Sequence, residues 1–247
     1  MKQVQGKVAF ITGGSRGMGA AIAKRLSQEG ANIVFTHSGK NPEKANEVLE
    51  AVKANKVKGL ALEADNEDPN ALQRALETAL QEFGRLDILV NNAGVYIQKT
   101  IEELSLSDYD QVMDVNVKAV FIASQIAARH LKSGGRIITI GSNMADRVPG
   151  AGGSLYAMSK SALIGLNKGL ARDLGPKGIS VNLVQPGPVD TDMNPEKSDH
   201  APFLKDFMTF NRYGKTEEIA GLVAYLAREE SQFITGTSLT IDGGFNI

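Results

Sequence analysis

The residues best suited to chemistry are a tyrosine and a lysine four positions apart, Tyr156 and Lys160. On a helix this spacing places both side chains on one face. A nearby ammonium stabilises a phenolate, so the pair predicts that the pKa of Tyr156 is lowered towards working pH and that Tyr156 acts as a general acid or base. Ser142 lies fourteen residues upstream, just past an apolar run, where its hydroxyl could hold a substrate oxygen beside the tyrosine. Because such pairs also arise by chance on helices, the prediction depends on what accompanies them.

A glycine-rich segment near the amino end, Thr12-Gly-Gly-Ser-Arg-Gly-Met-Gly19, indicates a nucleotide-binding loop. It follows an apolar run and opens a predicted helix. Glycines at this point let the backbone approach a pyrophosphate, while amide groups at the helix start point towards it. The spacing is Gly-x-x-x-Gly-x-Gly rather than the commonest dinucleotide fingerprint, and a purely structural turn is the alternative.

The residues after the second predicted strand favour one form of the cofactor. An NAD-binding loop usually carries an acidic residue about 20 positions on, whereas this strand ends Phe35-Thr36-His37-Ser38. Arg16, Lys40 and the hydroxyls of Ser15 and Ser38 could instead bind a 2′-phosphate. We therefore expect NADP(H) to be preferred over NAD(H). The alternative is that Arg16 is only a solvated residue at a helix start.

The elements that must position these residues alternate along the chain. Strands are predicted over residues 7–12, 32–36, 57–62, 86–90, 136–140, 179–184 and 238–241, and helices over residues 17–29, 42–54, 69–83, 107–131, 155–174 and 216–227. This alternation implies parallel strands covered on both faces by helices. The predicted fold class is α/β, a three-layer Rossmann fold with a doubly wound, seven-stranded parallel sheet, in one domain over residues 1–247.

Residues 190–212 form a long connection with few strand signals, which predicts a substrate lid. Phe203, Phe207 and Phe210 lie at helical spacing and predict a short helix with an apolar face. Packing of that face on the body of the domain is the alternative to a role in substrate binding.

Composition excludes several classes of protein. A chain of 247 residues with 42% hydrophobic content can bury one large core, and its net charge of -1 with scattered basic residues does not fit a nucleic-acid binder. Without cysteine, the chain has no disulfides, thiolate catalysis or zinc–cysteine sites, and its three histidines lack metal-ligand spacing. The absence of a signal peptide or long apolar run predicts a cytoplasmic protein with a small-molecule ligand and no membrane partner.

Taken together, the glycine loop, the serine after a late strand and the tyrosine and lysine on the next helix resemble the short-chain dehydrogenase/reductase family, over about residues 6–244. Asn91-Asn-Ala-Gly94 matches the family motif after the fourth strand, and the family's catalytic four match Asn116, Ser142, Tyr156 and Lys160. The resemblance implies the strand order 3-2-1-4-5-6-7 and hydride transfer between a nicotinamide and a carbonyl or alcohol carbon.

The resemblance also implies a role for each of the four. Tyr156 would donate a proton to the carbonyl oxygen and Ser142 would stabilise the developing alkoxide. Lys160 would hold the ribose and lower the tyrosine pKa, and Asn116 would anchor a water in the proton relay. A side-chain bond from Asn116, or from Asn91, to the backbone is the alternative.

The predicted cofactor contacts combine the glycine loop with several segments that the resemblance supplies. Asp65 matches the position that contacts adenine, with capping of the helix near Pro69 as the alternative, and Pro186-Gly187 with Thr191 looks like the segment that closes over the nicotinamide. The full set is Gly13, Ser15, Arg16, Gly17, Met18, Gly19, His37, Ser38, Asp65, Asn66, Asn92, Ala93, Gly94, Tyr156, Lys160, Pro186, Gly187, Val189 and Thr191.

Within the family, the segment Gly-Arg-Ile-Ile-Thr-Ile-Gly-Ser142 looks most like the 3-oxoacyl-carrier-protein reductases and related carbonyl reductases. The expected activity is therefore NADPH-dependent reduction of a ketone or 3-oxoacyl-type carbonyl to a secondary alcohol. The spacing from Ser142 to Tyr156 is one position longer than is usual in that group and the loop 145–149 differs, so acyl-carrier protein as a partner stays open.

Two further expectations come from the resemblance. Residues 185–195 resemble a bacterial subgroup that includes cyclic-dinucleotide-binding proteins linked to biofilm dispersal, so a nucleotide-binding regulator is the alternative function. The predicted helix 107–131 is apolar on more than one face, which indicates either burial within the monomer or a partner. The family implies a homotetramer built from this helix and helix 155–174, with a second interface near Ile241.

Overall fold

One parallel sheet forms the centre of the protein in the computed structural model, which describes residues 3–247. Residues 1 and 2 of the predicted 1–247 domain lie outside the described residues. The strands are β1 (Val8–Ile11), β2 (Asn32–His37), β3 (Gly59–Glu63), β4 (Ile88–Asn91), β5 (Arg136–Ile140), β6 (Ser180–Pro186) and β7 (Ser238–Ile241). Among the described residues the order is β3-β2-β1-β4-β5-β6-β7, and every pairing is parallel. The predicted fold class and strand order are confirmed.

Helices cover both faces of the sheet. They are α1 (Gly17–Gln28), α2 (Pro42–Lys53), α3 (Pro69–Phe83), α4 (Leu106–Met113), α5 (Ala119–His130), α6 (Ser154–Leu174), α7 (Ala201–Lys205) and α8 (Thr216–Ala227). One apolar core contains side chains of α1, α2 and α8, and the other contains side chains of α3, α5 and α6. Successive residues of β1 enter opposite cores, Ile11 the first and Phe10 the second, because strand side chains alternate between faces.

The sheet brings the loops that follow β1, β4, β5 and β6 to one edge. Parallel strands present their carboxyl ends on the same side, and the strand order reverses between β1 and β4, which is where open α/β sheets bind ligands. Thr12, Asn92, Ser142 and Gly187 each follow one of these strands closely. Residues far apart in the sequence therefore meet at this edge.

The predicted helix 107–131 is interrupted in the structure. Between α4 and α5, Asp114–Lys118 form a π turn, which contains one residue more per turn than an α-helix. Asn116 at its centre is fully buried and its side chain bonds to the backbone of Val95. These bonds fix the Asn116 side chain at the centre of the wider turn to the segment after β4.

The predicted lid contains a short helix, but its apolar residues do not share one helical face. Phe203 lies on α7, while Phe207 follows the helix and packs against Phe203 and Phe245 with ring centroids 5.1 Å away in each pair. The prediction is wrong for Phe210, which is 69% exposed beyond the point where the chain leaves the helix.

Within residues 3–247, no helix is both long and apolar enough to cross a membrane.

Candidate active site

The loop after β1 is hydrogen-bonded to the loop after β4. The Thr12 hydroxyl accepts hydrogen bonds from the main-chain N–H groups of Asn92 (2.9 Å) and Ala93 (3.0 Å). In return the Asn92 amide donates to the carbonyl oxygens of Thr12 (2.9 Å) and Gly13 (3.0 Å). The Asn92 side chain, predicted to contact the cofactor, is thus engaged in holding the glycine loop.

Three glycines shape the start of α1. Gly13 and Gly17 have φ angles of +66° and +53°, in the left-handed region that favours glycine. At Gly19 a Cβ atom would lie 2.3 Å from the carbonyl oxygen of Gly13, so no side chain fits. Arg16, the N-cap residue, makes no side-chain capping bond within the described chain, which leaves the first N–H groups of α1 available to an external acceptor. This arrangement fits the phosphates of a dinucleotide.

A cleft of about 280 Å³ runs from this loop across the sheet edge. Of the predicted cofactor contacts, the cleft is lined by Gly13, Ser15, Arg16, Gly17, Met18, Gly19, His37, Ser38, Asp65, Asn66, Asn92, Ala93, Gly94, Tyr156 and Thr191. Asp68, not Asp65, caps α3 by accepting from the N–H of Asn70 (2.9 Å). Asp65 is left facing the cleft, where its Oδ1 also accepts from the N–H of Glu67.

The end of the cleft beside β2 is lined by polar and basic side chains. Its lining includes the hydroxyls of Thr36 and Ser38, the imidazole of His37 and the ammonium of Lys40. These groups donate hydrogen bonds or carry positive charge. A 2′-phosphate can accept such hydrogen bonds and is attracted by the positive charge.

A carboxylate from the lid, which sequence reasoning missed, also lines the cleft. Asp192 Oδ2 lies 2.8 Å from Nζ of Lys44 on α2 and 3.8 Å from Nη1 of Arg16. The hydrogen bond from Lys44 lowers the pKa of Asp192. Arg16 therefore has an acidic neighbour in this structure.

A second cavity of about 390 Å³ adjoins the cleft. Met18, Tyr156, Thr191 and Met193 line both, so the tyrosine stands where the two spaces meet. The predicted residues Ser142, Pro186, Gly187 and Val189 line this second cavity. Sequence reasoning missed most of its apolar wall, which includes Tyr96, Met144, Pro149, Leu204 and Phe245.

The electrostatics of the tyrosine–lysine pair differ from the sequence prediction. Lys160 Nζ lies 5.6 Å from the ring centroid of Tyr156 and donates to the carbonyl oxygen of Ile140 (3.1 Å). Burial raises the pKa of Tyr156 to about 12, partly offset by a hydrogen bond with Ser142, and burial lowers the pKa of Lys160 to about 8. Burial is the largest cause of both shifts because desolvation disfavours the charged form of each group. The prediction of a lowered tyrosine pKa is wrong for this structure.

Asn116 and Lys160 lie behind the wall of the cleft at Gly94. A Cβ atom on Gly94 would be 3.4 Å from Asn116 Oδ1 and 3.5 Å from Lys160 Nζ. Asn116 Oδ1 accepts from the N–H of Val95 (2.9 Å), and its Nδ2 donates to the Val95 carbonyl and to Ser159 Oγ, both at 3.0 Å. The Asn116 side chain is therefore bonded to the backbone, as the alternative to the relay role predicted. The Asn91 amide instead donates to hydroxyls of neighbouring elements.

Ser142 is held by the residues around it. Its Oγ accepts from the N–H of Met144 (3.1 Å), and its carbonyl oxygen accepts from Nε2 of Gln185 (3.3 Å). Gln185 also donates to Asp146 (3.1 Å). The Ser142 hydroxyl also makes the hydrogen bond with Tyr156, so the two hydroxyl groups lie side by side at the second cavity.

A family model described as enoyl-(acyl carrier protein) reductase matches residues 13–246 of the chain. The chain belongs to the short-chain dehydrogenase/reductase family. A short-chain dehydrogenase/reductase from Serratia marcescens is 57% identical, with a TM-score of 0.97 over 99% of this chain and 100% of that chain.

Two other relatives bear on ligands. A short-chain dehydrogenase from Burkholderia cenocepacia, solved in complex with NADP, is 51% identical, with a TM-score of 0.98 over 99% of this chain and 100% of that chain. A cyclic-di-GMP-binding biofilm dispersal mediator protein of Escherichia coli is 44% identical over 97% of each chain.

Some of the missed residues of this short-chain dehydrogenase/reductase had a signal in the sequence. Tyr96 and Gln98 lie two and four residues after the Asn91–Gly94 motif, and Asp192 and Met193 directly follow Thr191. Phe245 had none, because only the three-dimensional path of the chain brings it to the second cavity.

Proposed function

We propose that the protein is an NADPH-dependent reductase that converts a ketone or 3-oxoacyl-type carbonyl to a secondary alcohol. The observation that carries the proposal is the position of Tyr156, on the wall between a dinucleotide-shaped cleft and an adjoining cavity that also presents Ser142. A proton donor at this junction serves a carbonyl in the cavity that receives hydride from the cleft.

The bound nicotinamide would supply the hydride. With a pKa of about 12, Tyr156 is protonated throughout the physiological range and can donate its proton to the substrate oxygen. Ser142 would give a second hydrogen bond to that oxygen as negative charge develops on it. Lys160 would hold the ribose, and Asn116 would anchor a water in the proton relay.

A preference for NADP(H) over NAD(H) is supported by the groups beside β2 and by the NADP-bound relative. Arg16 can form charge-assisted bonds with a 2′-phosphate, and Ser15, Ser38 and Lys40 can add donors. The chain has no Asp or Glu at the end of β2, where a carboxylate would repel the same phosphate.

The cavity favours a carbonyl substrate with an apolar substituent. Its wall combines methionine, proline, phenylalanine and leucine side chains with a smaller number of polar residues, among them Ser142, Tyr156 and His200. Apolar walls with a few placed polar groups are typical of sites that bind small organic molecules.

The test is oxidation of NADPH, and separately NADH, by the purified protein with small ketones, diketones and 3-oxoacyl thioesters. Tyr156→Phe should lower kcat by ~100-fold or more while NADPH binding stays within about twofold, because only the proton donor is lost. Tyr225→Phe, on the exposed side of α8, is the matched control and should keep full activity. Comparable turnover in Tyr156→Phe would refute the mechanism.

A nucleotide-binding regulator is the second candidate, and the similarity to the cyclic-di-GMP-binding protein favours it. Calorimetric titration with cyclic-di-GMP, with and without NADPH, separates the two. Tight binding of the dinucleotide by a protein that turns over none of the carbonyls would replace the reductase proposal.

A homotetramer is proposed on the apolar side chains left exposed on three helices, α4, α5 and α6. Leu106 is 83% exposed and Phe121 49% exposed along α4 and α5, and Met158 is 45% exposed on α6. Light scattering coupled to size exclusion should give four times the chain mass, and a monomer would contradict the proposal. The cytoplasmic location stays a prediction.

A further inference from the structure

The loop that follows Ser142 carries an arginine that reaches two other segments. Arg147 Nη1 donates hydrogen bonds to the main-chain oxygens of Phe245 (2.7 Å) and Ile247 (3.3 Å). Its guanidinium carbon also lies 5.0 Å from the ring centroid of Phe207 and 5.9 Å from that of Phe245. Both separations lie within the range of a cation–π interaction. One side chain thus joins the Ser142 loop, the lid and residues 242–247.

A pair of asparagines makes the same connection a second time. Asn143, directly after Ser142, donates from Nδ2 to Asn246 Oδ1 (3.2 Å) and accepts from Asn246 Nδ2 at its carbonyl oxygen (3.1 Å). The main-chain N–H of Asn246 in turn donates to Asp242 Oδ2 (3.0 Å). Residues 242–247 are therefore fixed to the serine loop at two neighbouring points.

The segments joined in this way form one side of the second cavity. Phe245 is 1% exposed and lines the cavity together with Phe203 and Leu204 of the lid. It also belongs to a small apolar cluster with Ala201, Leu204, Phe207, Met208 and Tyr213. Arg147 is outside the lining of the cavity, but of the two rings it contacts, Phe245 belongs to that lining and Phe207 packs against Phe203 and Phe245.

We propose that Arg147 is a positioning residue that determines substrate specificity, by holding residues 242–247 and the lid as the wall that receives the larger substituent of the substrate. The proposal rests on the proposed reductase function. A planar guanidinium can donate to two carbonyl oxygens and lie over an aromatic ring at once, whereas a lysine ammonium on a flexible stem cannot do both.

The kinetic test compares two diketones that share the reacting group and differ in one substituent: diacetyl, and its analogue with phenyl in place of one methyl. In Arg147→Ala, KM for the phenyl analogue should rise by ~tenfold or more, while KM for diacetyl, kcat for both and the Kd of NADPH change less than about twofold. Arg147→Lys should recover the phenyl KM only in part. Arg172→Ala, an exposed arginine on α6, is the charge-matched control and should match the wild type.

Hydrogen–deuterium exchange provides a readout that does not depend on turnover. Arg147→Ala should exchange faster in residues 201–210 and 242–247 together, with the central strands unchanged. Equal KM changes for both diketones, or unchanged exchange in both segments, would overturn the proposal. If Arg147→Ala does not fold, Asn246→Ala removes the parallel connection and should show the same selectivity in weaker form. If the wild type reduces no ketone, diketone or 3-oxoacyl thioester of the full panel, the reductase proposal fails and the exchange result alone decides whether Arg147 holds the wall.

Discussion

Replacing Gly19 with alanine should damage the cofactor loop without touching any catalytic side chain. The added Cβ would lie 2.3 Å from the Gly13 carbonyl oxygen and 2.5 Å from Asn92 Nδ2, and both must retreat to about 3.0 Å or more. Because Asn92 bonds the same carbonyl, a shift of about 0.7 Å also strains that hydrogen bond. Overpacking costs ~1–3 kcal/mol and a lost hydrogen bond ~1 kcal/mol, against a gain of ~1 kcal/mol in helix propensity.

We therefore expect Gly19→Ala to lower the free energy of unfolding by about 1–3 kcal/mol and to raise the Kd of NADPH by ~tenfold or more, since hydrogen bonds to phosphate tolerate only a few tenths of an ångström. Denaturant unfolding and NADPH fluorescence titration measure the two effects. The matched control is Gly221→Ala in α8, where no described atom lies within 4 Å of the new Cβ; it should gain up to ~1 kcal/mol and leave Kd unchanged. A Gly19→Ala protein as stable as the wild type, with unchanged Kd, would refute this reasoning.

Three other perturbations test separate parts of the site. Arg16→Gln should raise the Kd of NADPH by ~tenfold and that of NADH less than twofold, by fluorescence titration, because it removes a phosphate partner; equal losses would contradict the preference. Asp192→Asn removes the carboxylate beside Arg16 and should lower the Kd of NADPH a few-fold at low salt, and this difference should fade at about 1 M salt. A difference in Kd that does not depend on salt would count against an ionic cause. Lys160 has a folded-state pKa of about 8, below its ordinary value of 10.5, so the unfolded chain binds more protons between these values and stability rises with pH there. Between about pH 7.5 and about pH 9.5, the free energy of unfolding measured with denaturant should rise by on the order of 2 kcal/mol in the wild type but not in Lys160→Met. The same change with pH in both proteins would refute the attribution to Lys160.

The fold was predictable because its signals are local. Apolar runs of strand length alternate with amphipathic stretches, and a chain that repeats this pattern has few topologies open to it. The site was largely predictable for the same reason, since Gly13, Ser142 and Gly187 each follow a strand and the carboxyl ends of parallel strands meet.

What escaped prediction depends on packing in three dimensions. The pKa of Tyr156 is set by its burial, which sequence spacing does not report, and spacing alone indicated the opposite direction. Phe245 reaches the site only through the path of the carboxyl-terminal segment. Residues 114–118 read as ordinary helix because one additional residue in a turn hardly disturbs a short apolar pattern.

That additional residue makes chain length itself a constraint on the site. The π turn holds its additional residue within a single turn, so deleting one residue there would leave a regular α-helical turn with α4 and α5 in nearly the same relative rotation. Val112 in α4 and Ala123 in α5, both fully buried, could then keep their places, but the wider turn at whose centre Asn116 lies would be lost. Inserting a residue would instead add a rotation of about 100° between the two helices, so the site limits deletions and the core limits insertions.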